Sequence, residues 1–291
     1  MNEINIFCFG FGQVARNFIK KINLEKIKIN LTTTSREKSY KKKISDLTYE
    51  SLQFNENNFD KKIIERLEEA DHILISIPPI NGEDIVVKNF KLKIEKIKPK
   101  WITYLSATSV YGDHKGKWVN EDAETKPTSN SGLDRLNAEK SWMNLASQKN
   151  LPLQIFRLSG IYSNERNVLM RLKSKELKII EKKNHFFSRI HVEDIANILF
   201  ESLLNFKPRE IYNISDDKPA SAEEVALYGC KLLKVKKPET ISFLLIKSEM
   251  LKNFYKDSKK VNNKKMKNIF NYKLKFPSYI EGLSYIRNNF I

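Results

Sequence analysis

A chain of 291 residues is long enough to bury a sizeable apolar core, in one large domain or two closely associated ones. A hydrophobic share of 41%, with three Trp, eleven Tyr and seventeen Phe, excludes a disordered chain. The formal net charge of +17 suggests an anionic partner. However, 42 of the 52 basic residues are Lys. Arg binds phosphates and base edges better than Lys does, because its guanidinium can donate two hydrogen bonds at once, so nucleic-acid binding is not favoured.

The cysteines and histidines of the sequence indicate neither a disulfide framework nor a metal site. Cys8 and Cys230 lie far apart and form no CxxC motif, so the sequence predicts no disulfide framework and a cytoplasmic protein. The four histidines show no ligand spacing, and no metal site is predicted. No apolar run reaches the roughly 18 residues of a membrane-spanning helix, so neither membrane association nor a signal peptide is predicted.

Short apolar runs alternate with helical patterns through the first half of the chain. Strands are predicted at 4–9, 27–33, 72–77, 101–107 and 152–159, with helices at 13–22, 63–70, 84–98 and 129–142. Beyond residue 160 the pattern is less regular, with a helix at 192–204 and a strand at 210–215. This alternation predicts an α/β protein with a doubly wound parallel sheet.

The same pattern predicts where a ligand binds and how the chain divides. Ligands of such sheets bind outside the carboxyl ends of the strands, so the residues that follow the predicted strands are expected to converge on one crevice. Residues 1–160 are predicted to form the core. Residues 161–291 are predicted to be mainly a smaller substrate-side region, with 190–215 partly completing the core.

A glycine-rich turn joins the first predicted strand to the first helix. Gly10, Gly12 and Ala15 form a GxGxxA pattern that permits a tight turn, close approach of a pyrophosphate and close helix–strand packing. The amides at the helix start would face the phosphates. The pattern favours a dinucleotide site over a purely structural turn. The predicted contacts are Gly10, Gly12, Gln13, Val14 and Ala15, with Ser76 from the third strand.

The end of the second strand bears on which dinucleotide binds. NAD sites usually place an acid there, but the run Thr32-Thr33-Thr34-Ser35-Arg36 has none. Ser35 and Arg36 could hold a 2′-phosphate instead, which favours NADP over NAD. The alternative is a solvated loop, because Lys41, Lys42 and Lys43 follow at once.

Five motifs in order resemble those of a known family. They are the glycine turn, "LSATSVYGDH" at 105–114, "RLSGIYSNERN" at 157–167, "SRIHVEDIA" at 188–196 and "YNISDDKP" at 212–219. Together they resemble the extended short-chain dehydrogenase/reductases, the NAD-dependent epimerase/dehydratase family, and the GxGxxA turn looks like an epimerase-like bacterial subgroup. The resemblance implies a Rossmann-type fold with a small C-terminal substrate domain. It also implies NAD(P)-dependent chemistry on a hydroxyl or carbonyl, often of a nucleotide sugar.

The resemblance also implies a catalytic set, from which this sequence departs. The family uses a Tyr, a Lys four residues later and a Ser or Thr at the end of a central strand. The matching positions here hold Ser131, Arg135 and Ala107. An aliphatic hydroxyl is far less acidic than a phenol, whereas Arg135 keeps the positive charge and the ribose contact. Thr108 and Tyr111 complete the candidate catalytic residues, with packing as the alternative role for Tyr111.

Candidate substrate residues come from the neighbouring motifs. They are Ser106, Arg157, Ser159, Tyr162, Arg166, Asn167, Arg189 and His191. Several guanidiniums in one crevice would suit a phosphate or carboxylate on the substrate. The alternatives are a buried Arg that pairs with Glu193 or Asp194, and a capping or packing role for His191.

Two functions therefore remain open at the level of sequence. The first is an NADP-dependent oxidoreductase or epimerase-like enzyme with an atypical catalytic set, acting on a small polar substrate such as a nucleotide sugar. The second is a catalytically silent NADP-binding sensor or scaffold. A homodimer would follow from family analogy alone.

Overall fold

The computed structural model describes residues 3–291, apart from the side chains of residues 250, 253 and 254. The helices are α1 Gln13–Leu24, α2 Lys62–Glu68, α3 Ile85–Ile94, α4 Asn130–Lys149, α5 Val168–Lys173, α6 Val192–Leu204, α7 Ala222–Leu233, α8 Glu249–Phe254, α9 Lys264–Phe270 and α10 Tyr279–Phe290. Short 3-10 helices span Thr108–Tyr111 and Phe243–Leu245.

The strands are β1 Ile4–Phe9, β2 Ile29–Ser35, β3 Tyr40–Ile44, β4 Leu47–Gln53, β5 His72–Ile75, β6 Trp101–Ala107, β7 Trp118–Val119, β8 Leu153–Leu158, β9 Gly160–Tyr162, β10 Ile179–Glu181, β11 Arg189–His191, β12 Glu210–Ile214, β13 Thr240–Ser242 and β14 Lys260–Val261. Eight of them form one sheet in the order β12-β8-β6-β5-β1-β2-β4-β3. β1 pairs in parallel with β2 and β5, and β5 pairs in parallel with β6. The predicted α/β class with a mostly parallel sheet is confirmed.

The chain forms two compact units. Unit 1 comprises the residues up to Ala107 together with Asp134–Arg157 and Ile195–Tyr212, and unit 2 comprises Thr108–Leu133, Leu158–Asp194 and Asn213–Ile291. Both units are discontinuous in sequence, and unit 1 includes residues from the 190–215 stretch that was predicted to help complete the core. The reason is that the chain leaves the sheet after β6 and returns to it for α4, β8, α6 and β12.

Unit 1 is built from strands that are apolar along their whole length. Every residue of β5 is buried, and so are the last four residues of β1, as expected for strands enclosed within a parallel sheet. In α1 the predicted inward residues Val14, Phe18 and Ile22 recur at helical spacing and are all buried. These packed elements fix the position of the turn between β1 and α1.

The segment after β2 is only in part the solvated loop that was weighed as the alternative to a phosphate site: residues 36–39 are exposed and lie outside strands, but the lysines that follow do not. Lys41, Lys42 and Lys43 do not lie in a solvated loop but on β3, which pairs antiparallel with β4. β4 in turn pairs in parallel with β2. All three lysines are exposed because β3 is the edge strand of the sheet, where charged side chains protect an unpaired edge.

Unit 2 contains the smaller sheets and the remaining helices. Its three two-stranded sheets pair β9 with β11, β10 with β13 and β7 with β14. One apolar core of this unit is formed by Tyr162, Leu169, Ala220, Val225, Tyr279, Leu283 and Ile286. A capping box of Ser221 and Glu224 fixes the start of α7. None of the described helices is both long and apolar enough to cross a membrane.

Candidate functional site

The turn after β1 ties together the carboxyl ends of three strands. Gly10 has φ +83°, and a Cβ there would lie 2.8 Å from the Ser76 hydroxyl, so the position requires glycine. Gly10 N donates to Thr34 Oγ1 at 2.8 Å. Ser76 Oγ donates to the carbonyls of Phe9 and Gly10 at 3.0 and 3.1 Å. The structure therefore brings the predicted residues Gly10 and Ser76 together.

Gly12 occupies the N-cap of α1 and leaves the start of this helix open. A Cβ at Gly12 would meet no atom within 4 Å, and the residue provides no side-chain cap. The first turn of α1 contains no acidic residue to oppose the positive end of the helix dipole. Val14 and Ala15 are buried below, so α1 packs closely on the sheet. This arrangement fits an anionic phosphate group at the helix start.

The end of β2 carries hydroxyls and a cation. Ser35 is the last residue of β2 and is half-buried, and its hydroxyl donates to Glu37 O at 3.4 Å. Arg36 follows and is exposed. Thr34, which sequence reasoning did not include, is buried and anchors the glycine turn. Its only sequence signal is its place at the end of a strand.

The end of β6 and the start of α4 carry the next predicted group. Arg135 Nη1 donates to the carbonyl of Leu105 at 3.1 Å, which attaches α4 to β6. The hydroxyl of Ser106 is buried and has no hydrogen-bond partner. One turn before Arg135, Ser131 is exposed, and its Oγ lies 3.3 Å from Ser129 Oγ. Ser131 has no neighbouring base in these contacts that would activate its hydroxyl.

Several solved structures share the fold of this chain over nearly its whole length. A functionally unknown conserved protein from Silicibacter pomeroyi DSS is 30% identical, with 98% of each chain covered and a TM-score of 0.86. UDP-glucuronic acid 4-epimerase from Bacillus cereus, solved with NAD, is 15% identical (98% and 96% covered; TM-score 0.77). dTDP-glucose 4,6-dehydratase from Bacillus anthracis, also solved with NAD, is 18% identical (98% and 96% covered; TM-score 0.77).

The chain is therefore related over nearly its whole length to the Silicibacter pomeroyi protein, and it has the fold of the epimerase and the dehydratase. The likeness to the epimerase and the dehydratase is one of fold, since their identity to this chain is below 20%. No family model matches the sequence, and a search of curated proteins finds no significant match.

Two tyrosines that follow one another closely in sequence, Tyr104 and Tyr111, are enclosed. Tyr104 on β6 is fully buried, and burial raises the pKa of its phenol, with Asp84 adding to the effect against the opposing charge of Arg135. Tyr111, in the 3-10 helix that begins at Thr108, is also fully buried. Its phenol donates to Asn213 Oδ1 at 2.7 Å. A tyrosine that acts as a general acid or base needs a lowered pKa and a phenolic proton that can be transferred. Tyr104 has a raised pKa, and the phenolic proton of Tyr111 is held in a hydrogen bond to Asn213.

Arg157 lies in a setting that sequence reasoning did not predict. Its Nη2 lies 2.7 Å from Glu139 Oε2 and its Nε lies 3.1 and 3.2 Å from the two carboxylate oxygens. Both residues are at most 4% exposed. The expected alternative partners, Glu193 and Asp194, are therefore wrong, because Glu139 on α4 meets the guanidinium instead. No local sequence pattern indicates this pair, which joins positions 18 residues apart.

His191 has the capping and packing environment that was weighed as its alternative role. Its Nδ1 accepts a hydrogen bond from Glu193 N at 3.3 Å at the start of α6. Its ring lies 4.2 Å from that of Phe276 and 5.0 Å from that of Tyr162. Burial lowers the pKa of His191 to about 4, so the imidazole is neutral near pH 7.

Arg189 and its neighbours form a second enclosed polar group in unit 2. The guanidinium donates to the carbonyls of Phe187 and Ala220 at 3.0 and 2.9 Å. Burial raises the pKa of Asp216, against the opposing charge of Arg189, and its Oδ2 has no hydrogen-bond partner. The hydroxyl of Ser159 is likewise buried without a partner. Asp216 was missed by sequence reasoning.

The remaining predicted substrate residues have local structural roles or remain exposed. Asn167 caps α5, where its side chain accepts from the amides of Leu169 and Met170. The phenol of Tyr162 donates to Ser278 O at 3.3 Å, and burial raises its pKa. Arg166 is exposed. Among the described residues, no group of three or more His, Cys, Asp and Glu is placed to hold a metal ion.

Proposed function

We propose that this protein is a member of the extended short-chain dehydrogenase/reductases and acts as an NADP-dependent oxidoreductase or epimerase-like enzyme with an atypical catalytic set. The observation that carries the proposal is the uncapped start of α1 at Gly12, where open space and an unopposed helix dipole fit a pyrophosphate. The proposed cofactor contacts are Gly10, Gly12, Gln13, Val14 and Ala15, with Ser76 supporting the turn. A cytoplasmic location accords with two buried free cysteines.

Thermal-shift titrations with NADPH and NADH test cofactor binding. A ligand that binds only the folded chain raises its apparent stability by RT ln(1 + [L]/Kd), so the unfolding temperature must rise with concentration. We expect a larger shift with NADPH than with NADH at equal concentration. Equal shifts would remove the NADP preference, and no shift with either would remove the proposed function.

Arg36 is the residue proposed to decide between the two cofactors. Its exposed guanidinium follows a strand end with no carboxylate, and a charge-assisted hydrogen bond to a phosphate contributes about 1.5–3 kcal/mol. Arg36→Gln should therefore weaken NADPH binding about tenfold or more and leave NADH binding nearly unchanged. Lys41→Gln on the edge strand β3 is the matched control, and an equal loss of both cofactors in Arg36→Gln would contradict this role.

The proposed substrate is a small polar molecule, with nucleotide sugars as the first class to test. NADP, when bound, supplies or accepts a hydride. Arg135 would hold the nicotinamide ribose and keep a positive charge beside it, since a guanidinium stays protonated. Ser131 would orient the substrate through hydrogen bonds rather than exchange protons with it, because a serine hydroxyl lacks phenolic acidity.

Hydride transfer with UDP-glucuronic acid and dTDP-glucose tests this activity directly. These are the sugar nucleotides named for the structural neighbours. Net oxidation of the sugar would be read as reduced cofactor, and epimerisation or dehydration, which return the hydride to the sugar, as a changed sugar with no net change in the cofactor. If Ser131→Ala retains full turnover, even an orienting role for Ser131 is excluded while the enzyme survives.

A catalytically silent NADP-binding sensor or scaffold is the second candidate. Ala107, Ser131 and Arg135 favour it, as does the enclosure of Tyr104 and Tyr111. A sensor should bind NADPH yet transfer no hydride to any sugar nucleotide, and the oxidised and reduced cofactors should bind with different affinities. Turnover would reject this candidate. Light scattering would test the accompanying proposal of a homodimer.

A further inference from the structure

The ion pair between Arg157 and Glu139 is unusual in how completely it is enclosed. The side chains are 4% and 3% exposed, and both carboxylate oxygens receive a guanidinium hydrogen bond. In the part of the chain that the structure describes, no other ion pair has both partners this deeply buried. An enclosed pair is weak evidence for stability, because desolvation offsets most of its attraction.

The placement of the pair indicates a role in orientation. Glu139 lies on α4 and Arg157 lies on β8, so the pair attaches α4 to that strand. One turn earlier on α4, Arg135 Nη1 donates to Leu105 O on β6, the strand next to β8. Two attachments on adjacent strands oppose rotation of α4 about its own axis. Rotation of this helix is the motion that would turn Arg135 away from the strand end.

The charge of Glu139 also bears on Arg135. Residues four apart on a helix share one face, so an unpaired Glu139 carboxylate would attract the guanidinium of Arg135. Arg157 occupies that carboxylate, and Arg135 stays attached to the carbonyl of Leu105. The pair therefore fixes the position of Arg135 and also removes a competing acceptor.

From this geometry we propose that Glu139 and Arg157 are positioning residues, which hold Arg135 in place for the nicotinamide half of the dinucleotide. The proposal rests on the proposed function, because it requires a dinucleotide at the start of α1. It distinguishes the two halves of the cofactor: the adenine half depends on the glycine turn and the end of β2, whereas the nicotinamide half depends on Arg135.

Binding of the whole cofactor and of its adenine half tests the proposal. The probes are NADPH and 2′,5′-ADP, measured by calorimetry on the full chain. The principal variant is Glu139→Leu/Arg157→Leu, because replacing both charges of a buried pair by apolar groups is often neutral for stability. Arg157→Leu alone would leave a buried unpaired carboxylate and is a weaker choice, since it also endangers folding.

We expect the double variant to bind NADPH about tenfold more weakly and 2′,5′-ADP within about twofold of the wild type, as for loss of one charge-assisted hydrogen bond. The matched control is Glu95→Leu/Lys149→Met, which removes a half-exposed ion pair near the other end of α4. This control should leave both affinities unchanged. A general loss of structure would weaken both probes together and so differs from a positioning effect.

Each remaining outcome overturns a defined statement. If the double variant binds NADPH as the wild type does, or loses both probes equally, the positioning role is wrong while the proposed function stands. If the wild type binds NADH but not NADPH, the preference for NADP is wrong, and NADH and ADP become the two probes that test the positioning role. If the wild type binds neither dinucleotide, the proposed function fails and this inference fails with it.

Discussion

At the scale of single residues, a substitution at Gly12 should change the stability of the protein and its affinity for NADPH in opposite directions. The φ of −76° at Gly12 suits any residue, and a side chain there would enter open space. Serine is a better N-cap than glycine by a few tenths of a kcal/mol, so Gly12→Ser should slightly stabilise the protein. The same side chain would occupy the space proposed for the pyrophosphate, and NADPH affinity should fall about tenfold or more.

Urea unfolding and NADPH titration of Gly12→Ser measure these two opposite changes. The control is Gly10→Ala, where φ is +83° and the new Cβ would lie 2.8 Å from Ser76 Oγ. That variant should lose about 1–3 kcal/mol of stability. Unchanged NADPH affinity in Gly12→Ser would mean that no phosphate approaches the start of α1.

Because His191 is buried in its neutral form, it should lower the free energy of unfolding as pH falls. Its pKa is about 4 in the folded chain against about 6.5 unfolded, so the unfolded chain binds more protons between these values. Its contribution to the free energy of unfolding is complete above pH 6.5 and is lost as pH falls. At pH 5 the loss from this one group is about 2 kcal/mol.

Comparing urea unfolding at pH 7 and pH 5 for wild type and His191→Phe tests this. Carboxylates also titrate in this range. The relevant quantity is therefore how far the change in the free energy of unfolding from pH 7 to pH 5 differs between the wild type and His191→Phe. The variant should lose about 2 kcal/mol less than the wild type between the two pH values. An equal loss would show that His191 is charged or exposed in the folded chain.

At the scale of elements, Asp84 couples the start of α3 to α4. Its Oδ1 accepts from the amides of Val86 and Val87, and its Oδ2 accepts from Trp142 Nε1 at 2.8 Å. Asp84→Ala removes a helix cap, at about 1 kcal/mol, and leaves a buried indole donor unpaired, at about 1–3 kcal/mol. Asp84→Asn keeps the cap acceptor and should cost about half as much in urea unfolding. Equal costs for the two variants would contradict this division.

The elements that the sequence predicts well are those with one strong local signal. Continuous apolar runs indicate β1, β5 and β6, and the helical spacing of Val14, Phe18 and Ile22 indicates α1. The hairpin of β3 and β4 lacks such a signal, because an exposed edge strand carrying Lys41–43 is patterned like a loop. Its strand identity comes from pairing with β4 and β2, which is non-local.

The candidate site shows the same limit. The glycine turn is local in sequence, and the structure forms it at the end of β1 as predicted. The partner of Arg157 could not be read from the sequence, because several carboxylates were equally plausible and only the packing of α4 on β8 selects Glu139. Thr34 and Asp216 were missed for a related reason, since a buried hydrogen bond or an unpaired carboxylate has no pattern of its own.

At the scale of the whole molecule, the fold persists although most of the sequence has changed. The chain keeps a TM-score of 0.77 with two sugar-nucleotide enzymes at 15% and 18% identity. What is shared at that distance is the fold, which in this chain is built on the order of the buried strands in the sheet. Ala107, Ser131 and Arg135, which stand where the family resemblance implies Ser or Thr, Tyr and Lys, are compatible with this fold.

The net charge of +17 gives the last prediction, which concerns the whole surface. Many lysines are already paired with carboxylates, such as Lys88 with Glu83 at 2.6 Å and Lys267 with Asp217. These carboxylates are already subtracted in the net charge, and the excess positive charge is mostly Lys, which is poorly suited to base-specific contacts. We expect duplex DNA to bind weakly, with a Kd of about 10⁻⁵ M or above at physiological salt.

A salt series with two unrelated duplexes of equal length measures this expectation. Affinity should fall steeply and equally for both duplexes as salt rises, because counterion release drives non-specific contact. NADPH at saturating concentration should leave these affinities unchanged if the charge serves only solubility. Tight retention of one duplex over the other at 0.2 M salt would contradict this, because general surface charge cannot discriminate between sequences.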